Sequence, residues 1–253
     1  WRMVEGSLAE QPDAKPYARQ AARRALNSYL AERGIMAEAK ACPENEESHR
    51  VIYALPSERP TLTIIRAMGK RIATTSDNSG GKRAVASSDE LEPNERCQDV
   101  RGTDSAVPSN GVAGYPVFEV IRSQPGAAAA NLSAQETKGE ILLFLSARIC
   151  AAEPGWLTEV VSHVLRPDVG AVGARLWSRE GNLEDGALIL GLGGIASPAF
   201  HGLPRGHPGY FNRAWLQQNL SAVSAACLAV RRDVFQKLEK FDAINLPYHF
   251  YDV

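Results

Sequence analysis

No run of apolar residues in this chain of 253 approaches the ~20 that a membrane-spanning helix needs. Net charge is lacking too: 28 Lys and Arg stand against 29 Asp and Glu, leaving −1. That balance excludes the basic stripe with which proteins neutralise nucleic-acid phosphates, so no nucleic-acid partner is expected. The four cysteines, Cys42, Cys97, Cys150 and Cys227, lie far apart and form no C-x-x-C pair. This excludes the common zinc arrangements. Free thiols in a reducing cytosol are expected, and with them a cytoplasmic location. Cys150 and Cys227 border apolar runs and read as packing residues rather than nucleophiles. The first residues, WRMVEGSLAEQPDAK, lack the apolar stretch of a secretory leader. Trp rather than Met stands first, as expected of a piece of a longer protein.

Two phosphate-binding signatures are missing as well. Residues 79–82 (SGGK) lack both the first glycine spacing and the final hydroxyl of a P-loop, so a flexible turn fits better. The glycines of residues 191–210 (GLGGIASPAFHGLPRGHPGY) have no strand-to-helix turn around them and make no dinucleotide fingerprint. No internal repeat or heptad array is present.

What remains is ordinary globular composition, 44% hydrophobic and 23% charged. The length suits one large α/β domain with an accessory piece. The chain is organised around residues 138–156, KGEILLFLSARICAAEPGW. Residues 141–145 are continuously apolar, which predicts a strand covered on both faces. The run breaks at Ser146, Ala147 and Arg148. In an open α/β sheet ligands bind beyond the carboxyl ends of the strands, so the ligand edge is expected there. Pro154 opens an amphipathic helix over 154–165 with Trp156, Leu157, Val160, Val161, Val164 and Leu165 inward.

Upstream, 15–33 reads as a helix with a stripe of Tyr17, Ala21, Leu26, Tyr29 and Leu30, stopped by Gly34. Residues 42–48 read as a polar connector and 49–55 as a strand. Further strands are expected at 61–65 and 116–121, and a helix between 124 and 138. Residues 74–114 show no sustained pattern, which is unusual inside a domain. Downstream, single strands are expected over 169–177 and 183–190, then a Gly/Pro/His loop over 191–210 acting as a flap. A strand within 219–230 and a helix over 231–240 follow.

From Lys138 onward the order is strand, loop, Pro-Gly-Trp helix, VGAVGARL, LGLGG, PGYF, SAACLAVRR and a terminal aromatic-Asp segment. This resembles glycosyltransferase family 2 of the rhamnosyltransferase-like kind. KPYARQAARRALNSYL and YALPSERPTLTII look like that group's linker and first strand. The resemblance implies an α/β GT-A-like mixed sheet flanked by helices, preceded by an N-terminal helical linker. Residues 1–55 would be the linker and 56–253 the transferase domain, with the family's acceptor-side helix lying beyond residue 253. The implied activity is transfer of a sugar from a nucleotide-diphosphate sugar to a glycan hydroxyl in surface-polysaccharide synthesis. Nucleotide sugar and glycan acceptor are the implied partners, together with peripheral membrane association through the acceptor and a neighbouring transferase domain.

Such enzymes hold Mg or Mn with an acidic pair at the end of the pivotal strand, where the metal bridges phosphate oxygens. Here Ser146, Ala147 and Arg148 replace that pair. Arg148 either pairs directly with a diphosphate or is an outward-facing residue of a decayed site. The loop after the first strand reads Ile65-Arg66-Ala67-Met68-Gly69-Lys70, unlike the family's nucleoside cradle. The base-recognition acid is represented at best by Asp77. Tyr251-Asp252-Val253 matches the family's aromatic-Asp-Val segment, which makes Asp252 the expected general base; an ordinary surface or capping Asp is the alternative. His201 and His207 either meet phosphate or metal or are exposed loop residues. Tyr210 and Trp215 either line a sugar subsite or pack in the core. Beside the transferase stands a second hypothesis, an inactive transferase-like domain serving as scaffold or as glycan- or partner-binding module.

Overall fold

The computed structural model describes residues 16–67, 115, 119–149 and 155–248. In chain order these form α1 (Pro16–Glu32), β1 (Ala37–Cys42), β2 (Asn45–Tyr53), β3 (Leu62–Ala67), β4 (Glu119–Ser123), α2 (Ala127–Glu136) and β5 (Ile141–Ser146). Then come α3 (Trp156–Val164), β6 (Ala171–Gly173), β7 (Leu176–Trp177), β8 (Leu183–Asp185), β9 (Leu188–Leu190), β10 (Ala196–Pro198), β11 (Cys227–Arg231) and α4 (Arg232–Lys237). The protein is a mixed α/β fold.

The main sheet has five strands in the order β4-β3-β5-β11-β6. β4, β3 and β5 are parallel, and β11 runs antiparallel to both β5 and β6. The apolar run therefore occupies the middle of the sheet, and residues 141–145 are all buried. Alternate side chains serve opposite faces, as a strand's period of two requires. Ile141, Leu143 and Leu145 pack with Leu62, Ile64, Ala229 and the inner side of α3. Leu142 and Phe144 pack with Ile65, Val230, Phe235 and the alanines of α2. Phe144, Phe235 and Phe241 form an aromatic trio with centroids 4.9 to 5.2 Å apart. A continuous apolar strand is the expected signature of such a two-sided cover. β3 and β5 also meet at Gly139, whose missing side chain lets its N–H reach Thr63 Oγ1 at 3.1 Å. A Cβ there would lie 2.4 Å from that oxygen.

Several expectations are corrected. Residues 42–48 are not a connector: they span the end of β1, the turn at Pro43 and Glu44, and the start of β2, which pairs with β1 as a hairpin. Its polar sequence hides it, since only Ala39 and Cys42 of β1 are buried. α1 forms as expected, but its apolar stripe faces outward: Tyr17 is 63% and Tyr29 52% exposed, and only Leu30 is buried. Asn27 does the docking instead. Its Oδ1 accepts from Ala39 N at 2.7 Å and its Nδ2 donates to Ala39 O at 3.4 Å.

The hairpin rests against α3 through polar contacts. Arg50 Nη2 donates to Glu159 Oε2 at 3.3 Å, and Tyr53 meets the His163 ring edge-on at 5.3 Å. Gln217 Nε2 donates both to Glu159 Oε1 at 2.9 Å and to His163 Nε2 at 3.0 Å. Burial pushes His163 below its ordinary pKa, against the pull of Glu159 and with the help of Arg166 and Arg50.

The single strands expected over 169–177 and 183–190 are each broken in two. The first break follows Gly173, where a Cβ would sit 2.9 Å from Val223 Cβ. Arg175 then turns away, with Nη1 to Ala214 O and Nη2 to Glu44 Oε1, both 2.9 Å. The second break falls at Gly186. The Gly/Pro/His loop also contains order, since β10 pairs with β9.

Candidate functional site

The register fixes where the site lies. Ala67 pairs with both Ser123 and Ser146, so β4, β3 and β5 end at one level. Cys227 opposes Leu145, and Leu228 opposes Gly173. The start of β11 and the end of β6 therefore share that edge. All the chain between residues 174 and 226 leaves the sheet from the edge and returns to it.

The break after β5 is a tight turn. Ser146 N donates to Ala226 O and Ala147 N to Ala67 O, both at 2.9 Å, and Ile149 N donates to Ser146 O at 3.0 Å. The Ser146 hydroxyl oxygen accepts from Arg148 N at 3.3 Å. Arg148 itself is exposed. Sequence reasoning noted Arg66 only as a departure from pattern, yet it is the central cation here. It is 2% exposed, and its Nη2 donates to Ala147 O at 3.0 Å. Its signal was available: a charged residue next to four apolar or β-branched ones in a strand flanked on both faces is buried unless the strand has ended.

On the opposite face of the edge is a small cleft of about 20 Å³, room for a single water, lined by Ile65, Ala67, Ser123, Gly126, Ala130 and Phe144 among others. The amino end of α2 forms one wall. Gly126, at φ 108°, begins that helix without a side-chain cap. Ala127 N instead donates to Pro247 O at 2.9 Å. A Cβ on Gly126 would lie 2.8 Å from that oxygen and 3.1 Å from the Tyr248 ring. The segment after α4 is held across α2 by a second clamp. Asn131 Nδ2 donates to Phe241 O at 2.8 Å, and Asn131 Oδ1 accepts from Phe241 N at 3.1 Å.

The expected site residues are thus partly assembled. Ser146 and Arg148 stand at the edge beside Arg66. His201 is exposed within the 174–226 excursion, where its Nδ1 donates to Glu184 O at 2.9 Å. His207 is exposed too and accepts from Gly209 N at 3.0 Å. Trp215 is half-buried with its indole N–H enclosed, and that N–H has no hydrogen-bond partner among the described residues. Tyr210 is exposed. Asp252 and Asp77 lie outside the described residues, as do Cys97, Cys150 and residues 79–82.

The chemistry of the edge is that of hydroxyl and guanidinium groups. Among the described residues no three His, Cys, Asp or Glu side chains converge as metal ligands. Guanidinium forks match phosphate oxygens and repel a hard cation. The described residues therefore do not fit a Mg or Mn site. The buried thiol of Cys227, pushed up to about 12 by desolvation, is no nucleophile at neutral pH. No helix among the described residues is long and apolar enough to cross a membrane.

No protein-family model matches the chain. Over 265 aligned positions it is 30% identical to an uncharacterized protein, y4gI, of Sinorhizobium fredii, covering all of this chain and 28% of that protein. Over 114 positions it is 39% identical to the O-antigen biosynthesis protein RfbC of Myxococcus xanthus, covering 44% of this chain and 9% of that one. The chain thus spans under a third of the length of either relative. Among solved structures, a mannosyltransferase of Pyrobaculum calidifontis in complex with GDP-Man and Mn2+ aligns with 76% of this chain and 50% of its own. Its identity is 14% and its TM-score 0.37, too low to establish a common fold.

Proposed function

We propose that this chain carries a glycosyltransferase-type domain that transfers a sugar from a nucleotide-diphosphate sugar to a glycan hydroxyl during surface-polysaccharide synthesis. Likeness to an O-antigen biosynthesis protein over 44% of the chain supports this class, as does the order of motifs from Lys138 onward. The observation that carries the reading is the ligand edge: three parallel strands end together beside a buried Arg66 and an exposed Arg148. Such an edge is where open α/β sheets bind their ligands, and two guanidinium groups there suit a diphosphate.

In this reading Arg66 and Arg148 neutralise the departing diphosphate, and no step passes through a metal. The acceptor oxygen attacks the anomeric carbon, the bond to the diphosphate breaks, and Asp252 takes the hydroxyl proton. Tyr248, four residues before Asp252, lies against Gly126 at the rim of the edge. Asp77 would serve base recognition and His201 the outer part of the site. Residues 56–253 would form the transferase domain. Residues 1–55 would be an accessory piece, docked on α3 through the hairpin. Work in the cytoplasm, at the membrane surface through a lipid-borne acceptor and beside a second transferase domain, is consistent with this assignment.

The replacement of the acidic pair by Ser146, Ala147 and Arg148 favours one other reading, a domain that has lost catalysis and serves as a scaffold. Calorimetric titration with UDP-, GDP- and dTDP-sugars, with and without manganese, separates the two. Binding that is insensitive to manganese and lost in Arg66→Met supports the transferase site as built here. Absence of binding at millimolar nucleotide sugar overturns it in favour of the scaffold.

A further inference from the structure

The excursion over 174–226 starts and ends at the ligand edge, and toward its end Gln217 bonds to Glu159 and His163 of α3. Its two most exposed apolar side chains are neighbours: Tyr210 at 71% and Phe211 at 77%. Their rings stand 4.7 Å apart at 65°, packed edge to face, with their outer faces turned to water. The backbone beneath is strained. Phe211 lies at φ 51° and ψ 42°, and Asn212 follows at φ 61°. Consecutive left-handed residues without a glycine are rare, and persist where the surroundings over-determine them.

Here the surroundings do so. Ala214 N donates to Pro208 O at 3.0 Å and Trp215 N to Asn212 O at 2.9 Å. Arg213 and Gln218 exchange two hydrogen bonds of 2.8 Å. Gly209 is packed so closely that a Cβ would sit 2.9 Å from Ala214 Cβ. A rigid turn therefore holds two aromatic rings out in water.

We infer that Tyr210 and Phe211 form a stacking platform for a pyranose ring of the glycan. The inference deepens the transferase reading and rests on it for the class of ligand. The C–H face of a pyranose is apolar and packs on the electron-rich face of an aromatic ring. Size argues for a sugar over a protein. Two aromatic side chains offer about 150–250 Å² each, well short of the ~800 Å² per partner of a stable protein interface. Trp215 is half-buried, closes the turn through its backbone N–H to Asn212 O and is not part of the platform.

The test is saturation-transfer NMR on the 253-residue chain with mannotetraose and methyl α-L-rhamnopyranoside. Sorbitol, which has no ring face, is the control. Saturation should pass to the ring C–H protons of a pyranoside and not to sorbitol. Tyr210→Ala should weaken pyranoside binding at least tenfold. Phe211→Gly should do the same while raising Tm, because glycine accepts positive φ without strain. That opposite movement excludes unfolding as the cause of lost binding. Transfer to sorbitol as strong as to the pyranosides, unchanged binding in both variants, or no transfer to either sugar overturns the platform. Pyranoside binding in a chain that binds no nucleotide sugar keeps the platform and removes the transferase reading instead. A pair of variants that alters only self-association, with no pyranoside bound by the native chain, assigns the rings to a protein contact and overturns the inference.

Discussion

Arg231 and Arg232 are neighbours in the chain and cap helices on opposite faces of the sheet. Arg231 Nη1 donates to Val164 O and Arg166 O, both at 2.6 Å, at the end of α3. Arg232 donates to Ala134 O and Gly139 O, both at 2.6 Å, and to Thr137 Oγ1, at the end of α2. Arg231 is the last residue of β11 and Arg232 the first of α4, so the chain changes from strand to helix between them and the two side chains part. Each then meets carbonyls that a helix end leaves unsatisfied, at the negative pole of its dipole.

Replacing either arginine removes these hydrogen bonds on its own face, although Arg166 O keeps Val169 N and Ala134 O keeps Thr137 Oγ1. Arg231→Ala and Arg232→Ala should each lower stability by about 2 kcal/mol, the scale of hydrogen bonds to charged groups. Lysine, with one compact ammonium in place of a planar fork, should recover less than half of it. Urea denaturation checks both values.

Gly126 has no room for a methyl group beside Pro247 O, and its φ of 108° disfavours one in any case. Gly126→Ala should cost about 1–3 kcal/mol. It should also detach the segment around Pro247 from the amino end of α2. Hydrogen exchange is expected to rise at Ala127, whose N–H bonds Pro247 O, while β5 stays protected.

His163 supplies a pH dependence with a defined sign. Its folded pKa is depressed below the ordinary 6.5 by burial, so near that pH the unfolded chain binds a proton that the folded one refuses. Its share of stability is therefore full above the unfolded value. It is lost as pH falls through about 6.5 toward the depressed folded value. Protonation also gives Nε2 a hydrogen that faces the amide donor of Gln217. The slope of Tm against pH in this window should flatten in His163→Asn.

Cys227 should resist alkylation in the folded protein, with its pKa pushed up to about 12 by burial. Cys42 is raised in the same direction, by burial and then by its hydrogen bond to Glu44. Peptide mapping after iodoacetamide treatment at pH 8 should find both thiols unmodified until denaturant is added. Rapid labelling of Cys227 in the native protein would contradict its place in the core.

The sequence made the centre of the fold readable and its periphery obscure, for one physical reason. β5 and α3 are held by apolar burial, and apolar burial leaves a periodic trace. Hence the strand over 141–145 and the inward residues of the following helix are where the pattern puts them. α1 and the β1–β2 hairpin are held by Asn27 on Ala39, Arg50 on Glu159 and Arg175 on Glu44. Such bonds leave no period, so Tyr17 and Tyr29 read as core residues and are not. The broken strands near Gly173 and Gly186 failed in the other direction, because apolar runs there pass through turns. The ligand edge was legible as a position, from the break at Ser146. The burial of Arg66 was legible from its place after four buried-type strand residues, but its bond to Ala147 O was not, since that depends on the turn that β5 places beside it.

The excursion over 174–226 is tied at both ends to one side of two paired strands, β6 and β11. An insert tethered in this way can lengthen cheaply, since doubling a flexible loop costs only about 0.6 kcal/mol in closure entropy. Among the described residues its own strands, β7 to β10, pair only with one another and with no strand of the main sheet. Selectivity can therefore diverge in this insert while the frame that carries it is inherited intact.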